Sequence, residues 1–272
     1  GVDWSACTVL DTLGIDEVAL LKGHGDYVAV VWARDAAGHT HVLAVLPDRL
    51  QATVQAFLET IPAPLQATVK RVCIDMWEGY AGAAAAAAAL PQAQVVVDRF
   101  HVAVQYRKAV DELRQAECRR LNAERPPERA VPTAELRPLL RREWGSLNGD
   151  QQGRVVELFE QTPTLASAYV LRTLLTAIFD HSPDRATAQT RLQLWTEQVK
   201  ASGLSCFDKF LNTLHDWQDG ILNYFNGGHT RGFVEGLNNK RKLLKRRCFG
   251  LDDPVELFRR LWLDIEGPRL WA

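Results

Sequence analysis

Three acidic residues in this chain stand where their neighbours are apolar. Asp16 interrupts "LGIDEVAL", flanked by Leu13, Ile15 and Val18, and Asp75 interrupts "VCIDMW", between Val72, Ile74 and Met76. Glu235 interrupts "GFVEGLNNK", beside Phe233, Val234 and Leu237. Taken singly, each aspartate reads as a cap of a turn or of the following helix, and Glu235 as a counter-charge. Two such aspartates on neighbouring strands are harder to dismiss. Like charges held together raise one another's pKa unless a cation neutralises them. The chemistry this suggests is capture of a cation beside a phosphate.

The surroundings of Glu235 extend that reading. On a helix, Glu235, Asn238, Asn239 and Lys242 fall at i, i+3, i+4 and i+7 and share one face. A cationic run follows at once: Lys240, Arg241, Lys242, Lys245, Arg246 and Arg247. Such a run binds phosphate, giving affinity and salt dependence without reading sequence. Lys242 is the foremost candidate contact, with Lys240, Asn239, Arg246 and Arg247 beside it. "DRFH" supplies Asp98 and His101, which by themselves read as a strand-ending cap with His101 in the first helical turn. Alternation along a strand points Glu17 away from Asp16, so Glu17 is a poor substitute. Lys22 and His24 read as contacts rather than catalysts. Trp144, Trp195 and Trp217 could stack on a base, but a core role is the stronger expectation.

The elements that must position these residues come in two styles. "TLGIDEVALLKG", "DYVAVVWARD" and "HTHVLAVLPD" are strands joined by polar turns, which predicts an antiparallel meander. "RLQATVQAFLETIP" has helical spacing and is ended by Pro62 and Pro64. "VKRVCIDMW" is a short buried strand, "EGYAGAAAAAAALP" a helix of small residues, and "AQVVVDRFHV" another strand. The order β-β-β-α-β-α-β predicts a mixed sheet flanked by helices. From 102 to 225 the pattern is helical throughout, with "SCFDKFLNTLHDWQDGILNYF" as its last helix. A further helix starts near Gly232 and carries Glu235, and "DPVELFRRLWLDI" closes the chain.

Composition bounds the function classes. The 272 residues are 47% hydrophobic and 24% charged, with a formal net charge of −1. That is an ordinary globular balance, and basic character is local, at 240–247, Arg119–Arg120 and Arg137–Arg142. No run of about 18 apolar residues lacks a charge or breaker, so no membrane span is expected. The five cysteines are scattered, without the paired spacing of a zinc site, and fit reduced thiols in the cytoplasm. The first residue is Gly rather than Met, which fits a removed upstream segment.

Four blocks in order, "LGIDEVALLKGHGDYVAVV", "VCIDMWEGY", "AQVVVDRFHVAVQYRKAVDELR" and "GFVEGLNNKRKLLKRRCFG", resemble the catalytic domain of bacterial DDE transposases of the ISL-three insertion-sequence family. The resemblance implies an α/β, ribonuclease H-like mixed sheet flanked by helices and interrupted by an all-helical insertion. The expected division is 1–101 and 226–272 as the catalytic core, with 102–225 as the insertion. It implies an acidic triad of Asp16, Asp75 and Glu235 holding Mg²⁺, for which Mn²⁺ can substitute. Two ions about 3.5–4 Å apart suit in-line displacement at phosphorus. The substrates implied are double-stranded element ends and target DNA, cut and joined by a homodimer in the bacterial cytoplasm, on the nucleoid. The D-x-x-H of Asp98 and His101 resembles a motif of transposases with helical insertions, which implies support of the active site as the alternative to a cap. Arg231-Gly232 stands where the family's pattern has Asn-Gly. The family's amino-terminal zinc-binding and helix-turn-helix segments are not in this sequence, so much of the terminal-repeat recognition is expected to be missing. A repurposed DNA-binding module and a ribonuclease H-like nuclease without strand transfer are the competing readings.

Overall fold

A computed structural model describes residues 2, 4–19, 27–76, 86–124, 133–226, 253–265 and 267. Glu235, its helix and the cationic run at 240–247 lie outside the described residues, as do Lys22 and His24. The chain divides into two compact units, Gly1–Arg99 with Asp219–Ala272, and Phe100–Gln218.

In the first unit, β1 (Thr12–Ala19), β2 (Tyr27–Arg34) and β3 (Thr40–Leu46) form the expected meander, each pair antiparallel. Helix α1 (Gln51–Glu59) buries Val54 and Leu58. Pro62 does end that helical run, but Pro64 lies inside a further short helix, α2 (Ala63–Gln66), at a position where a missing N–H costs nothing. The parallel strands β4 (Arg71–Ile74) and β5 (Gln94–Val97) complete a sheet of order β3-β2-β1-β4-β5. Residues 86–89, the described end of the alanine-rich stretch, are helical. The sheet is therefore mixed, antiparallel on one side of β1 and parallel on the other.

Alternation along the strands decides what each face carries. Val18, Val28, Val30, Trp32 and Val42 form a cluster against Leu257, Leu261 and Ile265 of the closing helix, Pro254–Ile265. Asp16 is two residues from Val18 and paired with Val30, so it belongs to this same face. Glu17 belongs to the other, where its carboxylate accepts from Arg49, whose guanidinium stacks 4.1 Å from the Tyr27 ring.

The second unit is helical. Its elements are α3 (Arg99–Ala123), α4 (Thr133–Arg141), α5 (Gly149–Gln161), α6 (Pro163–His181), α7 (Arg185–Ser202) and α8 (Asp208–Asp216). Asn148 begins α5 with a reciprocal cap, its side chain accepting from the Gln151 amide while the Gln151 side chain takes the Asn148 amide. Gly203, at φ 67°, ends α7 in the left-handed region. The stretch read as one last helix is broken. A 3-10 turn at Ser205–Phe207 precedes α8, and Trp217, with φ −106° and ψ 14°, separates α8 from α9 (Gln218–Asn223). Trp195 is core: it donates from Nε1 to the Leu171 carbonyl at 2.7 Å and meets Phe207 and Phe210 edge-on. Trp144 is not, being 39% exposed, and Trp217 is half-buried. Among the described residues no helix is long and apolar enough to cross a membrane.

Candidate active site

The parallel half of the sheet aligns acids at its carboxyl edge. In the β1–β4 pairing Gly14 stands opposite Cys73, and in the β4–β5 pairing Ile74 stands opposite Val97. Carried past these last paired positions, the register sets Asp16 level with Asp75, and Asp75 level with Asp98. Residues level with one another on parallel strands share a face. Open α/β sheets place functional groups at this edge because strands end there and loops or helices begin.

The structure brings two of the sequence-predicted acids together: a carboxylate oxygen of Asp16 lies within 4.8 Å of one of Asp75. Both residues are half-buried. Asp16 is fixed further by its Oδ1, which accepts the Glu17 amide at 2.8 Å. At that separation and an effective dielectric near 20, two full negative charges repel by about 3.5 kcal/mol. Both acids offer hard carboxylate oxygens, the kind of donor that suits Mg²⁺ or Mn²⁺.

Asp98 directly follows β5, and its amide donates to the Ile74 carbonyl at 2.9 Å, extending the ladder by one bond. Its charge is felt at Cys73: burial first, then Asp98, push that thiol up to about 12, against a smaller opposing effect of Arg71. His101 lies in the first turn of α3, half-buried, its ring edge-on to Phe100 at 5.5 Å. Glu235 and the phosphate candidates Asn239, Lys240, Lys242, Arg246 and Arg247 lie outside the described residues.

Two supports of this edge carry no sequence signal of their own. β5 is an edge strand, and α9 covers it. Asn223 Nδ2 donates to the Val95 carbonyl at 2.9 Å, and Gly220 lets the helix approach Val97 closely. These contacts join residues more than a hundred positions apart, so local pattern could not reveal them.

The family model described as "Transposase", of the DDE ISL3 type, matches residues 13–261. The chain is 33% identical over 266 residues to the transposase for insertion sequence element IS1001 of Bordetella parapertussis, covering 97% of this chain and 63% of that protein. It is 24% identical over 279 residues to the transposase for insertion sequence element IS1557 of Mycobacterium tuberculosis, covering 96% of this chain and 61% of that protein. The chain thus spans a little under two thirds of the length of these relatives.

Proposed function

The chain belongs to the ISL3-type family of DDE transposases, and we propose that it is the catalytic part of a DNA transposase. The observation that carries this reading is the pair of carboxylates, Asp16 and Asp75, within 4.8 Å of each other, Asp16 inside β1 just past its parallel pairing with β4 and Asp75 directly after β4. We read the sheet as a ribonuclease H-like core. The order β3-β2-β1-β4-β5, with a meander followed by two parallel strands, supports that assignment. In it, 1–101 and 226–272 form the core and 102–225 the helical insertion.

Asp16, Asp75 and Glu235 are the proposed acidic set, and Mg²⁺ the proposed cation. Bound there, Mg²⁺ would supply charge stabilisation at phosphorus and make a nearby hydroxyl more acidic. The chain's own part is to hold oxygen donors rigidly and to orient DNA. Lys242, Lys240, Asn239, Arg246 and Arg247 would grip backbone phosphates beside Glu235, while Asp98 and His101 would support the site. Water attacks phosphorus first, breaking the bond to the 3′ oxygen. The freed 3′-hydroxyl then attacks a target phosphodiester, forming a new bond to phosphorus as the target's own 3′ oxygen leaves, which joins the strands. No protein–DNA covalent bond is required. The active species in this reading is a homodimer on paired duplex ends.

The test incubates the protein with duplex DNA carrying the element's ends and Mg²⁺. Cleaved and joined products should both form, and both should vanish with Asp75→Asn. Mg²⁺ should also raise the melting temperature of the wild type but not of Asp75→Asn. Activity surviving the substitution would sink the acidic set. Cleavage without joining would favour a nuclease.

A further inference from the structure

The helical unit concentrates positive charge around one carboxylate. Arg107, Asp111 and Arg114 lie at i, i+4 and i+7 on α3, forming one stripe. Asp111, only 13% exposed, accepts from Arg114 Nε at 2.9 Å and from Arg137 Nε at 3.2 Å, with Arg141 Nη2 at 3.6 Å. Arg137 and Arg141 are one turn apart on α4, so a single acid holds two helices together through three guanidinium groups. One negative charge cannot neutralise three positive ones.

The surplus faces solvent. The side chains of Arg137 and Arg141 are 50% and 53% exposed. Arg107 and Arg142 are exposed too, and neither has a carboxylate within ion-pair distance among the described residues. The end of α4 is also held still. Buried Arg172 donates to the carbonyls of Leu140 and Arg142 and lies 4.6 Å from the Tyr169 ring. Arg142 in turn donates to Gln151 Oε1 at 3.2 Å and to the Ser146 carbonyl. Trp144, exposed, sits in the 3-10 turn that this last bond fastens. Arg114 and Arg137 are thus held by Asp111, and guanidinium groups held in this way lose less freedom on binding an anion. Planar guanidinium forks match phosphate oxygens better than a point cation does.

We propose that this α3–α4 arginine face is a docking surface for the phosphate backbone of duplex DNA, made by residues other than the cationic run at 240–247. Arg107, Arg137 and Arg141 make the contacts, and Asp111 spaces them. The choice of duplex DNA as partner rests on the transposase reading above. Binding here is independent of sequence and strongly salt-dependent, because each phosphate contact releases condensed counterions.

The test measures affinity of the 272-residue chain for a fluorescent duplex of arbitrary sequence between 50 and 200 mM salt, roughly the range over which such contacts are lost. Arg137→Gln with Arg141→Gln should flatten the slope of log K against log salt by about 2, at about 0.9 per contact, and weaken binding roughly tenfold or more at 0.1 M. Arg107→Gln, which leaves the Asp111 bonds intact, should flatten it by about 1 and carries the test if the double variant melts abnormally. Unchanged slopes in folded variants overturn the proposal while leaving the transposase reading standing. A wild type that binds no duplex overturns both. Asp75→Asn should bind with the wild-type slope while failing to cut, which separates docking from chemistry.

Discussion

Gly220 is the tightest point in the support of the acidic edge. A Cβ added there would stand 2.9 Å from Val97 Cγ2, with the Val97 amide nitrogen at 3.8 Å and the Val95 carbonyl oxygen at 3.9 Å. Val97 is fully buried, and its branched side chain has few rotamers to escape into. In Gly220→Ala two effects oppose each other. Alanine gains about 0.8–1 kcal/mol of helix propensity over glycine, and overpacking a core costs about 1–3 kcal/mol. The net expectation is a loss of about 0–2 kcal/mol, centred near 1. Val97→Ala removes the methyl groups that block the new Cβ. In that background Gly220→Ala should become neutral or stabilising, a coupling of about 1–3 kcal/mol. Urea unfolding of the four proteins gives the cycle. The Asp98 amide, bonded to Ile74, gives a local readout by hydrogen exchange, with about fivefold faster exchange for a 1 kcal/mol loss. Additive substitutions, or a Gly220→Ala protein more stable than the wild type with Val97 in place, would refute the close approach as the reason for glycine.

Two further outcomes test charge and burial. Burial pushes the Asp111 carboxyl up, but the Arg114 hydrogen bond and the charges of Arg114, Arg137 and Arg141 outweigh it and hold it below its ordinary value of 3.8. Stability from this cluster is therefore complete above the unfolded pKa and is lost as pH falls through the lower folded one. Urea midpoints should fall below about pH 4 in the wild type, and Asp111→Asn should be less stable at neutral pH and flatter across that window. Cys73, buried and pushed up to about 12, stays a protonated thiol at pH 8 and should resist iodoacetamide until urea exposes it; native labelling at the rate of a free thiol would contradict its burial.

The sheet was legible because its strands are short apolar runs set off by turn chemistry, as in "GHGD" and "DAAG". Asp16 and Asp75 stood out for the same reason: each breaks an otherwise apolar run at a strand that must be buried. Their mutual approach was not legible. It depends on the parallel pairing of Gly14 with Cys73 across nearly sixty positions, which no local pattern specifies. The break at Trp217 was hidden because apolar residues continue at helical spacing on both sides of it. Trp144 was misjudged by composition, since tryptophan is usually buried, whereas here a 3-10 turn leaves it 39% exposed. The basic group at Arg137–Arg142 was visible as charge. Its organisation around Asp111 was not, because that acid comes from a different helix.

The placement of the acids explains why a rigid sheet is needed. Repulsion of about 3.5 kcal/mol between Asp16 and Asp75 would drive two carboxylates on flexible loops apart. Here Asp16 cannot retreat. Its strand is paired on both sides, with β2 along its full length and with β4 through Gly14. Its face is closed by the cluster of Val18, Val28, Val30 and Trp32 against Leu257 and Leu261. Asp75 is held just past Ile74, whose carbonyl is taken by the Asp98 amide. Separation is therefore costly, and a proton or a neighbouring positive charge is the cheaper relief. That inverts the usual relation between packing and charge. The apolar cluster and the strand pairing hold two acids close at one edge of the sheet, and in the transposase reading proposed above a hard cation bound there would offset their repulsion.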